Sequence, residues 1–175
     1  MLLKMNINTK FTVATDEGTR VLDVLTKELA IEKFTHLLDK ETLVDYISDR
    51  FNLKVLVDEL NSMSNQWLVV YVDDIAAGYA RITTQGKKIA VLEGKRVVRI
   101  ADFGVLEKYH SNEVMNSLLD KCIQVCRSYE GIWINEYIES PLISSFEAKG
   151  FVQQHEGDNQ HDDLPLKSHY FVLFL

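Results

Sequence analysis

Three side chains near the ends of two predicted strands could move protons: Asp102, Glu136 and Tyr137. A carboxylate can take a proton from an ammonium group, and a phenol can give one to a leaving group. All three are also ordinary strand-end residues. A second kind of chemistry belongs to the segment His110-Ser111-Asn112-Glu113-Val114-Met115, which leads into a predicted helix. A helix amino end offers unpaired N–H groups and the positive end of a dipole, which together hold anions. Glycines normally let a phosphate approach such a backbone. This segment has none and carries a carboxylate, Glu113, instead. His155, His161, Asp162, Asp163 and His169 could ligate a metal. Most of them fall in a polar stretch, 157–167, that reads as a solvated loop, and no metal is assigned. Cys122 and Cys126 lie four apart on one predicted helix and read as buried free thiols. No serine sits in a nucleophile-elbow pattern.

The elements that must position these residues follow from periodicity. A first strand is expected at Phe11-Thr12-Val13. A turn follows at 16–19, with Thr19 as a cap. Then comes a helix with Val21, Leu22, Val24, Leu25 and Leu29 at helical spacing. Asp39 caps a second helix that turns Leu43, Tyr46 and Ile47 inward. A third, 54–63, does the same with Val55, Leu56, Val57 and Leu60. Residues 67–72 and 75–83 form an antiparallel pair around Asp73-Asp74. Residues 97–105 are the next strand, and Gly104 can host a bulge or a close backbone approach. From 111 to 127 the stripe Val114, Leu118, Cys122, Val125 marks the clearest amphipathic helix. Ile132-Trp133-Ile134 is a short buried strand. Ser140-Pro141 opens a last helix that buries Leu142, Ile143 and Phe146 and ends at Gly150. Phe151-Val152 begins a strand, and 169–175 closes the chain as another, exposed enough to pair with a second copy as a homodimer.

The order of these pieces resembles the GNAT superfamily of acyl-CoA N-acyltransferases. Gly78-Tyr79-Ala80-Arg81, 102–109 and Phe146-Glu147-Ala148-Lys149-Gly150-Phe151 are similar to its central hairpin, its strand into the pyrophosphate loop and its Gly-Phe close. The resemblance implies an α/β (α+β) fold: a mixed, mostly antiparallel, twisted sheet of six or seven strands with helices on both faces. It implies that the sheet splays after strand 97–105 and admits the acyl-pantetheine arm of acetyl-CoA as co-substrate. Phe103, Gly104 and Val105 would supply backbone contacts to that arm. His110, Ser111, Asn112, Glu113, Val114 and Met115 fall on the pyrophosphate loop, with Glu113 and Met115 at its two glycine positions. Met115 adds bulk there. A carboxylate about 6 Å from a phosphate charge costs roughly 0.7–3 kcal/mol at effective dielectrics between water and a protein surface. The family's tyrosine acid falls on Phe146, which has no proton to give. Its asparagine before the last helix falls on Glu139. Asp102, Glu136 or Tyr137 would then serve as base or acid.

Composition bounds the partners. The 175 residues carry 19 basic and 26 acidic side chains, a net charge of −7. That suits one domain, 1–175, and disfavours nucleic acid and anionic membrane as partners. Lys87, Lys88, Lys95 and Arg96 cluster locally, as a solvated loop or as a contact for the coenzyme's adenosine phosphate. With no apolar run long enough for a bilayer and too short an apolar start for a signal peptide, a cytoplasmic location is expected. Two functions stay open. One is an acetyl-CoA-dependent N-acetyltransferase for a small-molecule amine or an amino terminus. The other is a non-catalytic binding or regulatory module that has lost coenzyme A.

Overall fold

The structure, a computed structural model, describes residues 4–175, and for 156–158 the backbone alone. Seven strands form one sheet in the order β1-β2-β3-β4-β5-β7-β6. They are β1 (Ile7–Thr12), β2 (Asn65–Val72), β3 (Ile75–Thr83), β4 (Val97–Val105), β5 (Gly131–Tyr137), β6 (Val152–Gln160) and β7 (Lys167–Phe174). Every neighbouring pair is antiparallel except β4 and β5. The helices are α1 (Asp16–Phe34), α2 (Lys40–Arg50), α3 (Leu53–Asn61), α4 (Asn112–Val125) and α5 (Ile143–Ala148). This is the mixed, mostly antiparallel sheet with helices on both faces that the sequence implies.

Two cores explain the layering. Leu22, Leu25, Leu29 and Phe34 of α1 pack with Leu43, Leu56, Trp67 and Tyr79 on one face. Val114, Met115, Leu118 and Cys122 of α4 pack with Leu68, Val70, Ile100 and Ile132 on the other. Alternation along β2 sends Trp67 and Val69 one way and Leu68 and Val70 the other, so the strand is buried on both sides. Cys122 and Cys126 are buried free thiols, and burial pushes both pKa values up, that of Cys126 to about 12. Neither is a ready nucleophile.

Several boundaries differ from expectation, each for a local reason. α1 starts at Asp16, capped by Thr15, whose hydroxyl accepts from the Gly18 N–H at 3.0 Å. Thr19 is therefore inside the helix. A Cβ on Gly18 would lie 2.3 Å from the Val13 carbonyl oxygen, so only glycine allows this tight entry. Asp39 does cap α2, accepting from the Thr42 N–H and hydroxyl. Val24 and Val57 face out, 50% and 37% exposed, because the buried stripes of α1 and α3 are narrower than their apolar composition. β5 runs on to Tyr137 because β7 pairs with its whole length. β6 extends through Gln160, into the stretch expected to be loop. β7 lies between β5 and β6, so the strand expected to pair with a second copy already has both edges filled. The sheet's open edges are β1 and β6. No helix among the described residues is long and apolar enough to cross a membrane.

Candidate active site

The one parallel pair in the sheet comes apart. β4 and β5 are registered only at Val97–Gly131, Val98–Ile132 and Arg99–Trp133. Beyond that point β4 stays on β3 as far as Val105, and β5 stays on β7 as far as Tyr137. Their carboxyl ends are thus held by different neighbours. The parting begins inside β4, earlier than the sequence implies, and its cause is local. Arg81 faces Asp102 while Ile82 faces Ile100, so β4 carries one extra residue, Ala101, against β3. Such a bulge sharpens the twist of the strand that contains it, here just after its last pairing with β5.

Backbone groups open on the gap. The Leu106 N–H donates to the Ala77 carbonyl of β3 at 2.8 Å. Successive residues of a strand direct their N–H and C=O groups to opposite sides, so Phe103 and Val105 direct theirs toward β5, where no ladder remains. The Phe103 carbonyl accepts from Lys33 Nζ of α1 at 2.5 Å. A Cβ on Gly104 would sit 3.0 Å from Lys33 Cε and 3.1 Å from Leu29 Cδ2, so α1 lies tight over β4 at this glycine. A cavity of about 420 Å³ opens beside these groups, bordered by Lys33, Gly104, Val105, His110, Tyr137 and Leu142. Neither Phe146 nor Met115 lines it.

The amino end of α4 completes this side. Ser111 is the cap: its hydroxyl accepts from the Val114 N–H at 3.3 Å, and its carbonyl from the Met115 N–H at 3.0 Å. The N–H groups of Asn112 and Glu113 have no partner among the described residues. Glu113 is exposed in this first turn. Met115 is 3% exposed and its side chain belongs to the core beneath α4, so its bulk is directed away from the loop surface. His110 is exposed on the cavity rim.

The three proton-transfer candidates occupy different environments. Asp102 forms a 2.8 Å ion pair with Arg81 Nε, and Arg81 also reaches Glu59 at 3.0 Å. Burial opposes ionisation of Asp102, but Arg81 and Arg50 win and hold it well below the usual carboxylate range. Glu136 is 5% exposed and its Oε1 has no hydrogen-bond partner. Burial pushes its pKa up to about 7, with Lys33 acting in the opposite direction. Tyr137 lines the large cavity, and burial raises its hydroxyl to about 12. Phe146 is fully buried, edge-on to Phe103 at 5.4 Å and to Phe151 at 5.9 Å. Its role is packing.

Two residues of the site escaped the sequence reading. Lys33 follows Leu22, Leu25 and Leu29 at helical spacing, so its place on the buried stripe was the available signal. His161 was assigned to a solvated loop, yet it is 7% exposed and packs against Tyr137 and Phe34 at ring distances of 5.4 and 6.1 Å. Its neighbour Asp162 pairs with Arg99 at 2.6 Å and Arg50 at 3.7 Å. Asp163 lies 3.7 Å from Arg50, so both aspartates that could ligate a metal by residue type face cations. The basic cluster lies elsewhere. Lys87, Lys88, Lys95 and Arg96 precede β4, at the opposite end of a strand about 30 Å long from the amino end of α4.

Comparison with known proteins agrees with this geometry. The model of the Acetyltransferase (GNAT) family matches residues 31–141. The fold is similar to an N-acetyltransferase from Thermoplasma acidophilum solved in complex with coenzyme A, with a TM-score of 0.76 at 11% identity over 97% of this chain and 99% of that one. It is similar to a putative acetyltransferase from Salmonella typhimurium solved with acetyl-CoA, with a TM-score of 0.61 at 12% identity over 96% and 93%. It is also similar to a ribosomal-protein-alanine N-acetyltransferase from Brucella melitensis, with a TM-score of 0.63 at 14% identity over 99% and 100%. The family match covers well over half of the chain, and its span runs from the end of α1 across the parted strands and the amino end of α4: the protein belongs to the GNAT acetyltransferase family.

Proposed function

We propose that the protein transfers the acetyl group of acetyl-CoA to a small amine or an amino terminus. The observation that carries this reading is the break in the β4–β5 ladder after Arg99–Trp133, which opens onto a cavity of about 420 Å³. A thioester carried on an anionic coenzyme suits this opening in two respects. The backbone N–H groups of Phe103 and Val105 stand where they can hold the pantetheine arm and polarise a thioester carbonyl. The free N–H groups of Asn112 and Glu113 stand where they can receive a phosphate. One feature opposes the fit, the exposed Glu113 carboxylate in the same turn. The burial of Met115 removes the other objection that the sequence raised.

The residues divide the chemistry between them. Acetyl-CoA supplies an activated acyl group. Glu136, buried and close to half ionised at neutral pH, takes a proton from the acceptor ammonium. Tyr137 borders the cavity and donates a hydrogen bond to the departing sulfur, the part for which Phe146 has no group. Asp102 stays ionised and holds Arg81 and the bulge in place. Lys33 caps the Phe103 carbonyl and must slide along it when the arm enters.

Glu113→Gln removes one repulsive charge from the phosphate site. It should tighten acetyl-CoA binding by about threefold to a hundredfold at low salt, and by less at high salt. Isothermal titration of both proteins with acetyl-CoA measures this, and equal affinities would remove the α4 amino end from the binding site. Acetyl transfer itself is tested by following thiol release with a panel of small amines. An absence of heat and of any melting shift at millimolar acetyl-CoA would replace this reading with the non-catalytic one.

A further inference from the structure

We infer that Glu136 and His161 form a proton relay across one buried water, so that the proton taken from the acceptor leaves the active site through His161. The inference rests on the transferase reading for its chemistry and on a separate feature of the structure for its geometry. A second cavity of about 20 Å³ shares Leu29 and Lys33 with the first and is lined also by Tyr46, Tyr79, Asp102, Glu136 and His161, with aromatic walls from Phe34, Phe51 and Phe103. A water needs about 10–15 Å³ of such volume and two to four polar partners, so this space takes one and no more. Glu136 and His161 both line it, and each carries a buried polar atom without a hydrogen-bond partner, Oε1 and Nδ1. Most buried polar atoms are paired, and two unpaired ones on residues that line one water-sized space are accounted for together by a bridging water.

The backbone at His161 is held in place. The His161 main-chain N–H donates to the Leu166 carbonyl at 2.9 Å, and the Leu164 N–H donates to the His161 carbonyl at 3.0 Å. The Tyr137 and Phe34 rings confine the side chain. Glu136 comes from β5 and His161 from the β6–β7 connection, so the relay joins two separate elements across the small cavity. Other ionisable groups surround it: Lys33 of α1, Tyr46 and Arg50 of α2, Tyr79 of β3, Arg99 and Asp102 of β4, Tyr137 of β5, Asp162 beside His161, and His169 of β7 opposite Glu136. Asp102 is paired with Arg81, Asp162 with Arg99, and Lys33 donates to the Phe103 carbonyl. Burial holds the His161 pKa down at about 4, so its ring stays neutral near neutral pH and passes a proton only by taking one at one ring nitrogen while giving one up at the other.

The reaction balances with this path. The ammonium gives one proton to Glu136, and the free amine attacks the thioester carbonyl. The C–N bond forms and the C–S bond breaks. The second amine proton goes to the departing thiolate. The proton on Glu136 passes to the water as the water gives one to one ring nitrogen of His161 and the other ring nitrogen gives one up, so the imidazole stays neutral throughout. His161 is a positioning and relay residue, since it touches neither substrate nor reacting carbon.

Three measurements test the relay. A high-resolution crystal structure of the free protein should show a water within hydrogen-bond reach of both Glu136 Oε1 and His161 Nδ1. Nitrogen-15 NMR should show the His161 titration midpoint moving when Glu136→Gln is introduced. His161→Gln, which can hold the water and cannot accept its proton, should lower kcat at least about tenfold near neutral pH. It should leave KM for acetyl-CoA within about twofold. A dry cavity, an unmoved midpoint or an unchanged kcat would each overturn the relay. Should His161→Gln fail to fold, the water and the titration decide alone, and both use folded protein without substrate. A wild-type protein that transfers no acetyl group sinks the transferase reading while the titration still reports whether the two groups are linked.

Discussion

Replacing Glu136 with glutamine should lower kcat by about a hundredfold to ten-thousandfold while making the protein more stable at pH 8. The kinetic half follows from the proposed role of Glu136 as base, a contribution of that order. The same group sets the pH profile. Its pKa is pushed up to about 7, and a base works only when deprotonated, so wild-type kcat should fall as pH drops below about 7. The variant should lose that limb.

The stability half has the opposite sign. In the unfolded chain Glu136 ionises near 4.5, whereas in the folded protein burial delays this to about 7. Between those values the folded state binds the extra proton. Rising pH therefore removes stability, beginning near the unfolded pKa and ending just above the folded one. A shift of this size corresponds to about 3 kcal/mol. Glutamine carries no charge to desolvate, so the variant should unfold at higher urea than the wild type at pH 8 and at nearly the same urea at pH 4. His161 runs the other way. Its pKa is lowered to about 4, so stability drains as pH falls from its unfolded value near 6.5, and the comparison must be made variant against wild type at each pH. Equal urea midpoints at pH 8 would mean that the Glu136 carboxylate is solvated and is no buried base.

Arg81→Ala should cost about 3–5 kcal/mol, the range for removing one partner of a buried ion pair. Arg81 and Asp102 have side chains only 17% and 12% exposed and meet at 2.8 Å. Arg81 also holds Glu59 and lies 5.7 Å above the Trp67 ring. Without it the Asp102 carboxylate remains buried, and Arg50 and Lys33 are left to answer it. Asp102 now contributes stability that is complete above its unfolded pKa near 4 and fades as pH falls toward its lowered folded value. The variant should lose that acid dependence along with the stability. A second change, Asp102→Asn, should restore part of the loss, because the cost is the stranded charge more than the missing contact. Urea unfolding of the two single variants and the double variant measures the coupling. A loss below about 1 kcal/mol for Arg81→Ala would show that water reaches the pair.

Much of this was written in local patterns. β2, β3 and α4 are legible because β-branched runs, a two-residue turn and a four-residue apolar stripe each oppose any other reading. Glu136 and Tyr137 could be placed beside the gap because Ile132-Trp133-Ile134 announces β5 and they follow at its end. What stayed hidden depends on tertiary packing. The start of α1 was misplaced because Gly18 reads as a turn, while the Val13 carbonyl 2.3 Å from where its Cβ would be makes it the condition of a tight cap. β6 beyond Val152 is polar because it is a sheet edge, and an edge strand has no apolar alternation to announce it. Lys33 is a charged residue continuing a buried stripe, and its partner is a carbonyl seventy residues away in sequence. His161 sits among aspartates in a turn, and only the fold brings it against Tyr137. The break between β4 and β5 is the plainest case. The bulge that parts them lies in the pairing of β4 with β3, at Ala101, where no glycine or proline announces it.

The proposed transfer requires that the opening between β4 and β5 receive acetyl-CoA, with main-chain donors at both ends of the ligand. Titration of nitrogen-15-labelled protein with acetyl-CoA reads those donors directly. Saturable shifts should concentrate on the amides of Phe103, Val105, Asn112 and Glu113, with Lys88 and Arg96 at the far end of β4 unmoved. Saturation at millimolar ligand with these four amides still, or shifts confined to the far end of the strand, would contradict it.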